Sequence, residues 1–97
     1  MNSKTELQQL ILNKESFILV YTTNSFSSMA IVEKLKSMNL KSIPLITLDI
    51  NTARLFAQSQ NVIVAPTTVE YIGGVEKTRF FGNRTSDFIK SYLKEII

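Results

Sequence analysis

The chain is predicted to fold as an α/β domain, with a mixed sheet and helices on both of its faces. Three observations carry this. Phe17–Tyr21 is an unbroken run of five apolar residues, the habit of a central strand covered on both sides rather than half exposed. Directly after it the apolar period turns helical, with Ile31, Leu35 and Met38 on one face and Glu33, Lys34, Lys36 and Ser37 on the other. Later, Gly73-Gly74 separates two β-rich runs, Thr67–Ile72 and Val75–Phe81. That is the pattern of a two-residue hairpin, whose turn needs positive φ at both central residues. A strand–helix–strand unit followed by a helix, a hairpin and a closing helix gives a mixed, layered domain.

The elements follow in order. Ser3-Lys4-Thr5-Glu6 fits a capping box, in which the serine hydroxyl covers one free amide and the glutamate reaches back to another. Leu7, Leu10 and Ile11 then recur at helical spacing, predicting a helix over Lys4–Leu12, and Asn13–Ser16 is a polar stop. The strand Phe17–Tyr21 leads to a helix from Ser27 onward, with Met29 and Met38 on its apolar side and Asn39 as its stop. Leu45–Ile50 is a second strand, entered through Pro44, where a missing amide does little harm. Asn51 or Thr52 is expected to cap a short helix over Ala53–Gln58. A loop at Ser59–Asn61 leads through Val62–Pro66 to the hairpin, which Gly82 ends. Thr85 or Ser86 caps a last helix that buries Phe88, Ile89, Tyr92, Leu93 and Ile96 and turns Lys90 and Lys94 to water. The order is α-β-α-β-α-β-β-α, and 1–97 reads as a single domain without a linker or repeat.

Composition narrows the function. Ninety-seven residues that are 44% hydrophobic suffice for one packed core. The net charge of +3 is dispersed, with no block of like charge, which speaks against nucleic acid as a partner. The opening Asn2–Glu6 is polar and does not read as a signal peptide. No apolar run approaches the roughly 18 residues of a membrane span, so a cytoplasmic protein with no membrane partner is expected. There is no cysteine and no histidine. A disulfide framework, the usual zinc ligands and a Ser-His-Asp relay are thereby excluded. Asp49, Glu70 and Glu76 are scattered and form no metal or acid–base pair, so neither a metal nor another cofactor is expected. Asn83-Arg84-Thr85 matches a glycosylation pattern by coincidence, and Lys77 and Arg79 read as the solvated face of an edge strand.

Several local features then combine. Ser25-Phe26-Ser27-Ser28 follows a strand and opens a helix. Ala65-Pro66-Thr67 precedes a β run, Gly73-Gly74 makes the hairpin, and Phe80-Phe81-Gly82 precedes the last helix. Together these resemble the thioredoxin superfamily along nearly the whole chain. The serines stand where that family carries Cys-x-x-Cys, Ala65-Pro66-Thr67 stands where it carries X-Pro-Thr with a cis proline, and Asn51 falls where it has an aspartate opening the third helix. The resemblance implies a thioredoxin-like fold without the family's leading strand. Its four strands would lie in the order second, first, third, fourth. It also shows departures. The family's tryptophan before the first cysteine is Asn24 here. Its buried aspartate is replaced by Leu19, or by Tyr21 in a shifted alignment, and its lysine by Thr47.

Disulfide exchange needs a thiolate, and a serine nucleophile at the same place needs an adjacent base. As written, therefore, no residue is catalytic. Ser25 and Ser28 only occupy the redox-cysteine positions, and Asn24 and Ser25 are expected as helix caps. What remains is shape. In the resembled family the backbone before the proline offers hydrogen bonds to an extended peptide. Asn24, Ser25, Phe26, Ser28, Val64, Ala65 and Pro66, with Gly82 at the margin, would form a shallow binding corner for a protein or peptide. The expected state is a monomer or weak homodimer. The alternative is a thiol–disulfide oxidoreductase whose two cysteines are replaced by serine in this chain. A third reading is a structural partner using the sheet edge at Val75–Phe81.

Overall fold

The computed structural model describes residues 4–38 and 43–93. The helix α1 runs Lys4–Leu12, the strand β1 Phe17–Thr22, α2 Phe26–Ser37, β2 Leu45–Asp49, α3 Arg54–Ser59, β3 Thr67–Ile72, β4 Val75–Phe81 and α4 Ser86–Tyr92. The expected element order holds throughout. The caps at Ser3 and Asn39, and the outward or inward faces of Lys94 and Ile96, lie outside the described residues.

The four strands form one sheet in the order β2-β1-β3-β4. β1 runs parallel to β2, from Ile18 opposite Leu45 to Thr22 opposite Asp49. It runs antiparallel to β3, from Phe17 opposite Tyr71 to Tyr21 opposite Thr67. This explains the uninterrupted apolar run: Phe17 to Tyr21 are all buried, because helices cover both faces of this central strand.

Two apolar layers result. Phe17, Leu19, Tyr21, Ile46, Leu48 and Val69 pack with Leu7 of α1 and with Ala53 and Ala57 around α3. Ile18 and Val20 face the other way, onto Ile31 and Leu35 of α2 and onto Ile89 and Leu93 at α4, with Phe80 beside them. Each fully buried side chain of this size contributes roughly 1.5–3 kcal/mol. In the first layer Phe17 stacks on Tyr71 with ring centroids 4.5 Å apart. In the second, Phe80, Phe88 and Tyr92 meet as an aromatic group, so Tyr92 packs although its outer edge remains exposed.

The hairpin turn is fixed by glycine. Gly73 and Gly74 have φ of 62° and 82°, the left-handed region that a two-residue turn demands. Gly74 also sits against α1: an added Cβ would stand 3.0 Å from Lys14 Cα. Its N–H donates to Glu15 O at 2.8 Å, while the N–H of Gly73 donates to Ser16 Oγ at 3.1 Å. The hairpin is thus pinned to the α1–β1 connection.

Three expectations need correction. The short helix α3 is not capped by Asn51 or Thr52. Asp49, at the end of β2, accepts through its carboxylate from the N–H groups of Asn51 (2.9 Å) and Thr52 (3.1 Å), and α3 begins without a side-chain cap. Aspartate is the stronger acceptor and reaches those amides from a rigid strand end. Met29 is not core but 63% exposed. α2 buries Ser28, Ile31 and Leu35, and Met29 lies one helical step, about 100°, away from that stripe. Arg79 is not merely solvated: it is half-buried and makes a two-pronged pair with Glu76, both contacts at 2.7 Å.

Candidate functional site

The end of β1 delivers the chain into a turn, Thr23–Ser25, and then into α2. Ser25 is the N-cap, with extended φ/ψ, and its Oγ accepts from Ser28 N at 3.2 Å. This is the expected helix cap. Asn24, the other candidate, stays exposed and makes no cap bond among the described residues. Ser28 adds a second link, because its Oγ accepts from Thr23 N at 3.0 Å. Three hydroxyls then close on one another. Thr23 Oγ1 donates to Ser25 Oγ (3.1 Å), Ser25 Oγ donates to Ser28 Oγ (3.2 Å), and Ser28 Oγ lies 3.4 Å from Thr23 Oγ1. Hydroxyls in such a ring polarise one another and gain as a group.

The ring shows what the turn can do chemically. Ser25 Oγ has spent its proton on another hydroxyl, and no carboxylate or amine among the described residues is bonded to it. A nucleophilic serine needs a base at hydrogen-bond distance. Ser28 is 1% exposed and therefore out of reach of a bulky substrate.

Behind the turn, the two positions that would carry a polar pair do not face each other. Thr47 is the register partner of Val20. Leu19, next to Val20, points into the apolar layer under α1 and α3. Thr47 lines a notch of about 250 Å³ on the α2 side, with Thr22, Thr23, Ser28, Met29, Val32 and Glu33. This notch is not apparent from sequence spacing, because it depends on how α2 crosses the end of β2. The alternative position, Tyr21, is wholly buried and its hydroxyl has no hydrogen-bond partner among the described residues. Burial, then the neighbouring Tyr71, pushes its phenol well above the ordinary tyrosine value.

The second half of the corner comes from the segment before β3. Because Tyr21 pairs with Thr67, Pro66 lies beside the chain leaving β1. The Ala65–Pro66 peptide is cis. Pro66 is buried and Ala65 half-buried, so the proline ring supplies no open surface. Its carbonyl accepts from Gly82 N at 2.9 Å, which ties Gly82 to the same end of the sheet. The Val64 carbonyl accepts from Thr67 Oγ1 at 2.7 Å. Between these two engaged carbonyls, the N–H and C=O of Ala65 have no partner among the described residues.

Exposed apolar side chains lie on the segments that lead to this end of the sheet. Phe26 is 81% exposed, Ile63 85% and Val64 47%, and Phe81 is exposed at the end of β4. Ile63 was not among the residues the sequence pointed to, since an apolar residue in a Val-Ile-Val run reads as core; its neighbour Val62 takes the buried place. The same segment is held from behind. Arg79 donates to Gln60 O (3.0 Å) and Asn61 O (3.4 Å) while gripping Glu76. The hydrogen bonds it donates to the Glu76 carboxylate, more than that group's charge, raise the guanidinium pKa further above its already high value. Asn61 has φ of 59°, a left-handed turn that asparagine tolerates.

Comparison with known proteins gives a divided result. No family model matches the chain. No curated protein matches it either. Solved structures match over almost its full length. Thioredoxin NaTrxh from Nicotiana alata superposes with a TM-score of 0.80 at 18% identity, covering 98% of this chain and 89% of that one. The thioredoxin of Fasciola hepatica gives 0.80 at 16% identity, over 96% and 93%. The oxidised thioredoxin of Plasmodium falciparum gives 0.81 at 17% identity, over 98% and 94%. With its β2-β1-β3-β4 sheet, its serine turn at the head of α2 and Pro66 at the entry to β3, this chain has the thioredoxin fold, and it carries that fold without a single cysteine.

Proposed function

We propose that this protein is a non-redox binding module that holds an extended peptide segment of a partner at the corner between the Ser25–Ser28 turn and Ala65–Pro66. The observation that supports it most is the Ala65 peptide group: polar, without a partner among the described residues, and next in sequence to the exposed Ile63 and Val64. An extended chain supplies a matching N–H and C=O, and its side chains cover the apolar rim. This is recognition by strand pairing, with affinity from the main chain and selectivity from the flanking surface. Such binding needs no sulfur. The hydroxyl ring keeps the turn in shape and takes no part in chemistry.

The test is a chemical-shift titration with pools of unstructured peptides. Saturable shifts at Ala65 and Phe26, indifferent to added reductant, are expected. Shifts confined to Val75–Phe81 would favour a purely structural partner at that edge.

A second reading has one observation in its favour. Ser25 and Ser28 sit at the head of α2 with their Oγ atoms 3.2 Å apart, so the scaffold juxtaposes the two positions. Cysteine codons at 25 and 28 in the native coding sequence would make the protein an oxidoreductase with its thiols replaced. Introducing Ser25→Cys with Ser28→Cys and assaying insulin reduction measures what the scaffold supports. Weak turnover is expected, because Leu19 and Thr47 provide no proton-handling pair.

A further inference from the structure

The chain has three arginines, Arg54, Arg79 and Arg84, and the fold uses two of them. Arg79 is held by both oxygens of Glu76 and donates to the carbonyls of Gln60 and Asn61. Arg84 donates to Phe81 O at 2.8 Å and lies over the Phe88 ring at 4.7 Å. Arg54, at the start of α3, is exposed and makes one contact, to Asn51 Oδ1 at 3.5 Å. That distance lies beyond the usual range of a hydrogen bond. No carboxylate pairs with Arg54 among the described residues.

Arg54 lines a pocket of about 280 Å³ between α3 and the segment that leads to Pro66. It is the only charged residue in that lining. Asn51 and Gln58 are its polar neighbours there, and the Gln58 amide has no hydrogen-bond partner among the described residues. The rest is apolar. Val62 is buried, Ile50 half-buried and Ile63 exposed. Both sides of the pocket are pinned. The Asp49 carboxylate accepts from the N–H groups of Asn51 and Thr52, and Val62 N donates to Ala57 O at 2.9 Å. Just ahead of Val62, Arg79 holds the Gln60 and Asn61 carbonyls. A pocket formed in advance spares its ligand the cost of ordering the walls.

We infer that this pocket binds a small carboxylic acid with a short apolar tail. A guanidinium fork meets a carboxylate through two parallel N–H···O bonds. Side-chain amides supply further donors, and the branched side chains cover the tail. One guanidinium balances the single charge of a carboxylate. A phosphate group carries up to about two charges, and no second cation lines the pocket. The volume falls just under the roughly 300–1,000 Å³ of ordinary ligand pockets, so the acid is small. Of the residues at the peptide corner only Ile63 belongs to this pocket, so the two sites can be tested apart.

The unmodified protein, isotope-labelled, is titrated with sodium acetate, butyrate and hexanoate at constant ionic strength, which holds screening fixed. Saturable shifts are expected at the Arg54 Nε–H, the Gln58 side-chain amide and the Ile63 backbone amide. Affinity should rise roughly twofold or more for each added methylene, as for a partly buried tail. Hexylamine, with the opposite charge on the same tail, should bind at least about fivefold more weakly than hexanoate. Arg54→Gln should weaken hexanoate about fivefold, the order of a partly exposed ion pair. Lys36→Gln removes the same charge from α2 and should leave the affinity unchanged. Unaltered shifts across β1 and β3 check that each variant is folded. Shifts centred on other residues, hexanoate no tighter than acetate, hexylamine binding equally well, native affinity in Arg54→Gln, or an equal loss in Lys36→Gln would each overturn the inference.

Discussion

The hydroxyl turn and the apolar rim beside it sit at one end of the sheet and are opposites. In the turn, Thr23, Ser25 and Ser28 satisfy one another, and the buried Ser28 has no access to a partner. In the rim, Phe26, Ile63 and Val64 meet water, and the peptide group at Ala65 has no partner among the described residues. A neutral hydrogen-bonded ring costs nothing to keep, whereas exposed aromatic and branched side chains are retained against the pull toward burial. The difference teaches that the part of the corner that looks like a redox site is its closed part, and that the proposed binding surface is its open part.

That contrast can be broken by substitution. The largest effect is expected from Phe26→Asp. It should weaken peptide binding tenfold or more, about 1.4 kcal/mol, while leaving thermal stability within about 0.5 kcal/mol, as for an exposed site. Titration and calorimetry on the same sample check both halves. If affinity is kept, the rim is not a binding surface. Ser28→Ala should do the reverse. It strands the Thr23 N–H and costs about 1–2 kcal/mol of stability in denaturant melts, with affinity unchanged. Ser25→Ala removes the cap bond and the two contacts Ser25 makes in the hydroxyl ring, and costs about 1 kcal/mol, chiefly as the lost cap. Loss of peptide binding in either folded serine variant would show that the turn takes part directly and that the contrast is drawn in the wrong place.

Two smaller effects sharpen the frame around the corner. Arg79→Ala releases the carbonyls of Gln60 and Asn61 along with Glu76. A partly exposed ion pair is worth about 1 kcal/mol or less. The informative readout is therefore faster hydrogen exchange over Val62–Ala65, with exchange in α2 unchanged. Tyr21→Phe should be close to neutral at pH 7, because it removes a buried hydroxyl that has no partner among the described residues. Its signature lies at alkaline pH. The folded-state phenol titrates higher than the unfolded one, chiefly through burial. The unfolded chain therefore loses its proton first, near pH 10, and stability falls as pH rises from there. The variant should flatten part of that fall. An alkaline melt unchanged by the substitution would contradict the assigned burial.

Much of this was legible in the residues. Phe17–Tyr21, Gly73-Gly74 and the Ile31–Leu35 spacing fix the central strand, the hairpin and α2, because each pattern answers to one local geometry. Ser25 as cap was readable for the same reason. What escaped were contacts made across the fold. Asp49 as the acceptor for the α3 turn depends on where β2 ends. Met29 lies on α2's apolar side by composition, yet the stripe that meets the sheet runs through Ser28, Ile31 and Leu35. Ile63 looks like core in a Val-Ile-Val run, and only the path of the loop turns it outward. The notch joins Thr47 to residues 14 or more positions away, and Arg79 grips the Gln60–Asn61 carbonyls from 18 or more away, which no local pattern encodes.

Main-chain recognition at Ala65 is tested most directly by N-methylating, one residue at a time, a peptide selected from the titration pools. The account predicts that a single methylation, at the peptide amide facing the Ala65 carbonyl, abolishes binding and the Ala65 shift, while side-chain changes elsewhere in the peptide are tolerated. An Ala65 amide that stays unmoved by every bound peptide, or binding indifferent to methylation at every position, would contradict it.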